Sequence, residues 1–146
     1  MENTKNGSQN IAMDMVEICL NIDRNIAIKG VRSLCRHLCG TLVYIPKNKK
    51  SGKSYAQMKE ILCDAVGEHY ANIMLERIMA SMGRLSVYIP FEVRAFEDLI
   101  AEEIYLRSGE DGNIPEVGKD YGLSFTRAYK LWKKGRKINL ERGVKK

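Results

Sequence analysis

The chain has 146 residues, a mass of 16.6 kDa and a mean hydropathy of −0.31, which fits one ordinary domain or two very small ones. Its 45% hydrophobic and 29% charged residues are enough to bury a core and exclude a chain that is disordered throughout. No apolar run approaches the roughly 20 residues that span a bilayer, and the start of the chain lacks the apolar segment of a secretory signal. We therefore expect a soluble intracellular protein without a membrane partner.

The formal charge of +6 is concentrated at the C-terminal end of the chain. Residues 119–146 contain ten lysines and arginines and two acidic residues, a balance of +8, and the preceding 118 residues carry −2. A nearly neutral body with a basic end is typical of a protein that contacts a polyanion, although a solvated basic tail has the same composition.

An internal repeat organises the first 90 residues. The segment GTLVYIP at residues 40–46 returns at residues 83–90 as GRLSVYIP, with one additional residue in the second copy. Upstream, the sequences MVEI and MKEI match at a shift of 43. We therefore predict a disordered N-terminus over 1–10, followed by two copies of one unit at 11–46 and 55–90.

Each copy is predicted to consist of helices followed by a short strand. Apolar residues recur at intervals of three, four or five, which indicates helices, and Asp23, Gly30 and Gly67 are candidate breaks within them. Gly40 and Gly83 are expected in the left-handed conformation at the helix ends, before β-branched and aromatic residues. Because two short strands are marginal alone, they should pair with each other or with those of a second chain.

The alternation of side chains assigns a face to each predicted strand. The apolar face consists of Thr41, Val43, Ile45, Leu85, Val87 and Ile89. The opposite face consists of Tyr44, Arg84, Ser86 and Tyr88. The two tyrosines either contact a partner from this face or cover apolar surface at the edge of the sheet.

Metal and catalytic sites are not expected. Cys35 and Cys39 share a helical face, as two zinc ligands would, but no second ligand pair has suitable spacing, which favours buried free thiols. The tripeptide GKS at residues 52–54 lacks the first glycine of a P-loop, which favours a basic loop that contacts phosphates non-specifically. The chain has two histidines and no nucleophile motif, so we expect neither enzyme activity nor a cofactor.

Residues 91–137 are predicted to form a DNA-binding domain, followed by a basic tail at 138–146. A helix over 91–108 precedes a short helix capped by Asn113, a turn, and a helix that begins after Ser124. This order is typical of a helix-turn-helix motif, whose second helix enters the major groove, although a purely structural hairpin has the same pattern. The overall prediction is a mainly α-helical fold with a short two-stranded β element.

The repeated YIP segments, together with YGLS at residues 121–124, resemble the Mor transcription activator family, named for the middle-gene activator of phage Mu. The resemblance extends over residues 13–137 and includes Ala128 and Tyr129. It implies a homodimer with an N-terminal dimerisation domain and a C-terminal helix-turn-helix. It also implies sequence-specific binding of double-stranded DNA, and activation of phage or mobile-element genes beside RNA polymerase at the nucleoid of a bacterial host.

The family pattern has alanine where this chain has Gly118, and a larger aliphatic residue where it has Ala128, which predicts a looser hairpin. Surplus apolar surface in 11–90 independently favours a homodimer, because two helical segments and two short strands are too small to close a core. The competing hypothesis is a dimeric adaptor, similar to an antirepressor, that does not bind DNA specifically. Only the resemblance favours activation over repression.

The candidate DNA contacts lie mainly on the last helix, from Ser124 to Lys134. Its first turns are expected to approach base edges, and lysines and arginines further along are better placed for phosphates. The candidates for base contacts are Phe125, Thr126, Arg127, Tyr129 and Lys130. The candidates for phosphate contacts are Ser124, Lys133, Lys134, Arg136, Lys137, Arg84 and Tyr88. Arg127 is the first candidate for guanine, unless it pairs with Asp120, and Tyr129 either contacts DNA or packs on the preceding helix.

Overall fold

The computed structural model describes residues 10–47, 52–110 and 112–144. The chain divides into two compact units, Met1–Ala95 and Phe96–Lys146, so the boundary lies five residues after the predicted one. The described helices are α1 (Ile11–Ile18), α2 (Arg24–Leu38), α3 (Lys53–Val66), α4 (Glu68–Met82), α5 (Glu92–Ala95), α6 (Glu97–Ser108), α7 (Ile114–Asp120) and α8 (Phe125–Val144). The described strands are β1 (Leu42–Tyr44) and β2 (Ser86–Tyr88). None of these helices combines the length and the apolar character that crossing a membrane requires.

Three helix breaks were predicted in the first unit, and the structure has two of them. Asp23 caps α2 by accepting a hydrogen bond from the backbone N–H of Asn25 at 3.1 Å. Gly67, with a φ of +88°, separates α3 from α4. Gly30 is instead buried inside α2, where the end of the Met74 side chain on α4 occupies the space that a side chain would take. The disordered N-terminus predicted for 1–10 lies outside the described residues except for Asn10, whose side chain caps α1.

The two strands pair with each other within the chain. They are antiparallel, with Val43 opposite Val87. Val43, Val87 and the residues that follow each strand, Ile45 and Ile89, are buried as predicted. Thr41 and Leu85 are exposed, contrary to the predicted apolar face. Their backbone N–H groups bond back to the last turns of α2 and α4, so both belong to the turn between helix and strand.

The predicted left-handed glycines are correct in the first copy and wrong in the second. Gly40 has a φ of +78°, but Gly83 has a φ of −57° and the left-handed residue is Arg84, at +73°. Gly83 is required for space instead, because a Cβ there would lie 2.5 Å from the carbonyl oxygen of Met79 and 2.9 Å from the Cα of Lys47.

The core of the first unit draws on both copies of the repeat. Its side chains that are less than 2% exposed include Met15, Val31, Leu34, Ile45, Met58, Leu62, Met74, Leu75 and Ile78. Two cysteines are buried among them, and burial raises the pKa of the Cys19 thiol to about 11 and that of Cys35 to about 12. These thiols are therefore uncharged near neutral pH and act as core residues.

A bridged carboxylate links α5 to α2. Glu92 accepts hydrogen bonds from Arg32 at 2.5 Å and from Arg36 at 2.9 Å. Burial alone would raise the pKa of Glu92, but the hydrogen bonds from the two arginines outweigh that effect and hold the pKa below its ordinary value.

The second unit consists of α6, α7 and α8, which pack on one another. The helix predicted over 91–108 is divided at Phe96, whose backbone leaves the helical region. Asn113 occupies the N-cap position of α7, but its side chain makes no capping hydrogen bond. The last helix has 20 residues and continues to Val144, so most of the predicted basic tail is helical.

Candidate nucleic-acid interface

The start of α8 is fixed by the turn that precedes it. Gly122 adopts a φ of +72°, and the backbone N–H of Leu123 donates to the carbonyl oxygen of Gly118 at 3.0 Å. Ser124 then caps the helix, because its Oγ accepts a hydrogen bond from the backbone N–H of Arg127 at 3.2 Å. The first turn of α8 is consequently held in place while its side chains remain exposed.

The α7–α8 hairpin is tight at the two positions that depart from the family pattern. Gly118 and Ala128 are both buried, and a Cβ on Gly118 would lie 2.6 Å from the Cβ of Ala128. Because both residues are small, the two helices approach each other closely, and the looser hairpin predicted from them is wrong.

Gly135, which was not among the residues singled out from the sequence, sets the distance between α6 and α8. A Cβ on Gly135 would overlap the carbonyl oxygen of Ala101 and would lie 2.9 Å from the Cβ of Tyr105. Ala128, Leu131 and Gly135 are the buried positions along this side of α8. Their spacing of three and four residues places them on one face of the helix.

The opposite side of α8 carries exposed basic residues. Thr126, Lys130, Lys133 and Lys137 are all exposed and are separated by four, three and four residues. That spacing aligns them along one face, which we call the basic stripe. Neither Lys130 nor Lys137 has a carboxylate partner within residues 10–47, 52–110 and 112–144, so the stripe is available to a polyanion.

Other basic candidates on α8 are engaged by carboxylates of the same unit. Lys134 forms ion pairs with Asp98 at 2.7 Å and Glu97 at 3.1 Å, and the hydrogen bonds that it donates to these two carboxylates raise its pKa. Arg136 pairs with Glu110 at 3.0 Å. The structure therefore separates the predicted phosphate contacts into exposed lysines of the stripe and flanking cations whose charge is locally balanced.

Three aromatic rings run along one flank of the basic stripe. Tyr129 stacks with Phe125 and Trp132, at ring-centroid distances of 5.9 and 6.0 Å. The Nζ of Lys133 lies 5.2 Å from the centre of the Tyr129 ring. Tyr129 therefore packs against its neighbours while 40% of it remains exposed, and Phe125 is 57% exposed at the start of the row.

Arg127 is exposed in the first turn of α8, as predicted. The alternative, an ion pair with Asp120, is not formed. Asp120 instead accepts a hydrogen bond from Arg107 at 2.5 Å, and no other carboxylate of the described ranges binds Arg127. Its guanidinium is therefore available for a ligand outside the chain.

The remaining candidates belong to the first unit. Arg84 is exposed next to β2, and Tyr88 is 55% exposed on the outer face of the sheet with Leu42 and Tyr44. Ser86, Tyr88, Phe91 and Arg94 also line a groove of about 570 Å³ that the sequence did not predict. Its lining is not apparent from sequence spacing because it combines strand, loop and helix residues.

The described parts of the chain contain no group of three or more histidine, cysteine or acidic side chains that could hold a metal ion.

Residues 50–144 match the model of the Mor transcription activator family. The matched region begins immediately before α3, so it includes the second copy of the repeat and α6 to α8 but not the first copy. No curated protein and no solved structure matches the chain.

Proposed function

The chain belongs to the Mor transcription activator family, and on that premise we propose that it activates transcription by binding a specific sequence of double-stranded DNA through α8. The observation that carries this proposal is the capped, exposed start of α8 continued by the basic stripe. A helix with this arrangement suits the major groove, where its first turns approach base edges.

We assign α7, the turn and α8 to a helix-turn-helix motif. The close approach of Gly118 to Ala128 supports the assignment, because it allows the two helices to cross with little separation. Within α8, Thr126, Arg127 and Lys130 contact base edges. Phe125 contacts a thymine methyl group, and Tyr129 adds a contact through its exposed edge.

The phosphate contacts come from residues with different electrostatic surroundings. Lys133 and Lys137 belong to the basic stripe and contact phosphates directly. Lys134 and Arg136 contribute less, because each already has a carboxylate partner. The hydroxyl group of Ser124 donates a hydrogen bond to a phosphate while its oxygen caps the helix. Arg84 and Tyr88 add contacts from the first unit to the sugar-phosphate backbone of the DNA.

The proposed role includes partners and a location. DNA and RNA polymerase are the expected partners in the cytoplasm of a bacterial host, at the nucleoid, and the regulated genes are those of a phage or mobile element. A homodimer is what the resemblance to the family implies. No cofactor is required for DNA binding of this kind.

Selection of bound sequences from a random DNA pool tests the proposal. A DNA-binding activator should enrich one motif and bind it at least about a thousand-fold more tightly than random DNA at the same salt concentration. Replacing Lys130 and Lys133 with alanine should weaken binding, whereas replacing the exposed Lys29 of α2 should not. A pool without an enriched motif would favour the adaptor instead.

A further inference from the structure

The two copies of the repeat are equivalent in three dimensions at a shift of 44 residues. Helices α2 and α4 both have 15 residues, and their first and last residues are 44 apart. The next residues, Cys39 and Gly83, have φ and ψ of −58° and 146° and of −57° and 141°. The left-handed residues Gly40 and Arg84 follow at the same shift, with φ of +78° and +73°.

Burial follows the same correspondence. Val31 and Leu75, and also Leu34 and Ile78, are equivalent pairs that are at most 1% exposed. Helices α1 and α3 correspond at a shift of 43, because Met15 and Met58 occupy equivalent buried positions. The additional residue of the second copy therefore lies between Met58 and the start of α4, and not in the strand segment where the sequence comparison placed it.

The strands join the copies with two-fold pseudosymmetry. The residues at the centre of the ladder, Val43 and Val87, are themselves equivalent. The hydrogen bond from Gly40 N–H to the Ile89 carbonyl, at 2.8 Å, is repeated by the one from Arg84 N–H to the Ile45 carbonyl, at 2.7 Å.

The second pair of flanking hydrogen bonds is equivalent as well. Ile89 N–H donates to the Thr41 carbonyl at 3.0 Å, and Ile45 N–H donates to the Leu85 carbonyl at 2.8 Å. Each copy therefore donates and accepts equivalent backbone hydrogen bonds, as the two subunits of a symmetric dimer do.

One pair of equivalent side chains breaks this symmetry in favour of pairing within the chain. Gly30 and Met74 are equivalent positions that face each other, and a Cβ on Gly30 would lie 2.8 Å from both Sδ and Cε of Met74. A two-fold pair of first copies would leave a void here, and a pair of second copies would oppose two methionines. At this position the two copies are complementary to each other, because Met74 fills the space that Gly30 leaves open.

From these contacts we infer that the first copy takes the place of a second subunit, so that the chain is a monomer with an internal two-fold pair. The premise of the predicted homodimer, that residues 11–90 cannot close a core, does not hold, because the two copies close one together. The chain then carries one helix-turn-helix motif and binds a single site without two-fold symmetry. The statement about DNA rests on the proposed function, and the statement about the monomer does not.

Light scattering of the full chain at micromolar concentration tests the monomer. The expected mass is 16.6 kDa, and a mass twice as large would overturn the inference, whether the copies pair symmetrically or are exchanged between chains.

A double-mutant cycle tests the contact between the copies. Gly30→Leu should lower the Tm, and combining it with Met74→Ala should recover part of the loss, because the cavity left by one change accommodates the other. A lower Tm that Met74→Ala does not partly restore would show that the two residues are not in contact. The Leu20→Ala variant, at a side chain that is 75% exposed, is a matched control and should leave the Tm unchanged.

Native mass spectrometry with the selected DNA tests the stoichiometry. One chain on a motif without two-fold symmetry is expected, and two chains on a palindromic motif would overturn this part of the inference. If no motif is selected, the proposed function fails, and the mass of the free chain still decides whether the internal pair replaces a dimer.

Discussion

Arg107 and Asp120 form an ion pair at 2.5 Å, so Asp120 on α7 is not the partner of Arg127, which was the alternative to a guanine contact. We therefore expect Arg127→Ala to cost about 1–3 kcal/mol on the cognate DNA and to relax the preference at one base pair, because alanine cannot donate to guanine O6 and N7. The Tm should hardly change, since exposed substitutions are usually within about ±0.5 kcal/mol. Selection with the parent and the variant at one salt concentration measures the base preference, a DNA titration measures the affinity, and thermal unfolding measures the Tm.

The control for this variant is Arg24→Ala, at an exposed arginine of the first unit that pairs with Glu17, which should leave base preference intact. An Arg127→Ala protein with the parent's preference at every position would show that this arginine does not contact a base.

Lys133 and Lys134 are adjacent in sequence but differ in their electrostatic surroundings. Lys133→Ala should weaken binding to all sequences and reduce the slope of log K against log salt by about 0.9, the value for one lost phosphate contact. Lys134→Ala should change the slope less, because Asp98 and Glu97 already balance that charge. Equal slopes of log K against log salt for the two variants would contradict the distinction between lysines of the basic stripe and cations that already have carboxylate partners.

Two glycines of α8 should respond to alanine in opposite directions. Gly135→Ala should lower the free energy of unfolding of the second unit by about 1–3 kcal/mol or more, because the new methyl group overlaps the backbone of α6. Gly143→Ala should raise helix stability by up to about 1 kcal/mol, since nothing lies within 4 Å of a Cβ there. Denaturant titrations of both variants measure the difference, and a tolerated alanine at 135 would be inconsistent with the close packing of α6 and α8.

Arg84 offers a way to separate backbone strain from DNA binding. Its left-handed backbone costs about 1–2 kcal/mol, so Arg84→Gly should leave the Tm unchanged or raise it. DNA affinity should nevertheless fall if the arginine contacts a phosphate. Gly40→Ala, at the equivalent position, should lower the Tm because it introduces the same strain. Unaltered DNA affinity in Arg84→Gly would remove Arg84 from the interface.

The loss of folding stability at acidic pH should depend on Glu92. Because its pKa is held below the ordinary value of 4.5, the ionised form stabilises the fold above that value, and the contribution is lost as the pH falls through the folded-state pKa. Thermal unfolding should therefore show a smaller loss of Tm on acidification in Glu92→Gln than in the parent. Glu17→Gln, at an exposed ion pair with Arg24, should retain the parent's profile.

Local signals in the sequence were sufficient to predict the start of α8, because a cap depends on residues three positions apart. Its end was not predictable in that way. Gly135 resembles a helix stop, yet it lies inside α8, where the backbone of α6 approaches. Gly83 and Arg84 illustrate the same limit, since neighbouring segments and not local preference decide which residue becomes left-handed. The partners of Lys134 and Asp120 were also out of reach, because they come from helices distant in sequence.

Trp132 is the single tryptophan of the chain, and it lies in α8, where its indole N–H donates to the carbonyl oxygen of Gly109 at 3.0 Å. Fluorescence excited at the indole therefore originates in the second unit alone. An emission spectrum followed during unfolding reports on α6 to α8 without interference from the repeat. Because the adjacent Tyr129 and Lys133 lie beside the proposed DNA surface, the same signal provides a label-free titration of the intact chain with DNA.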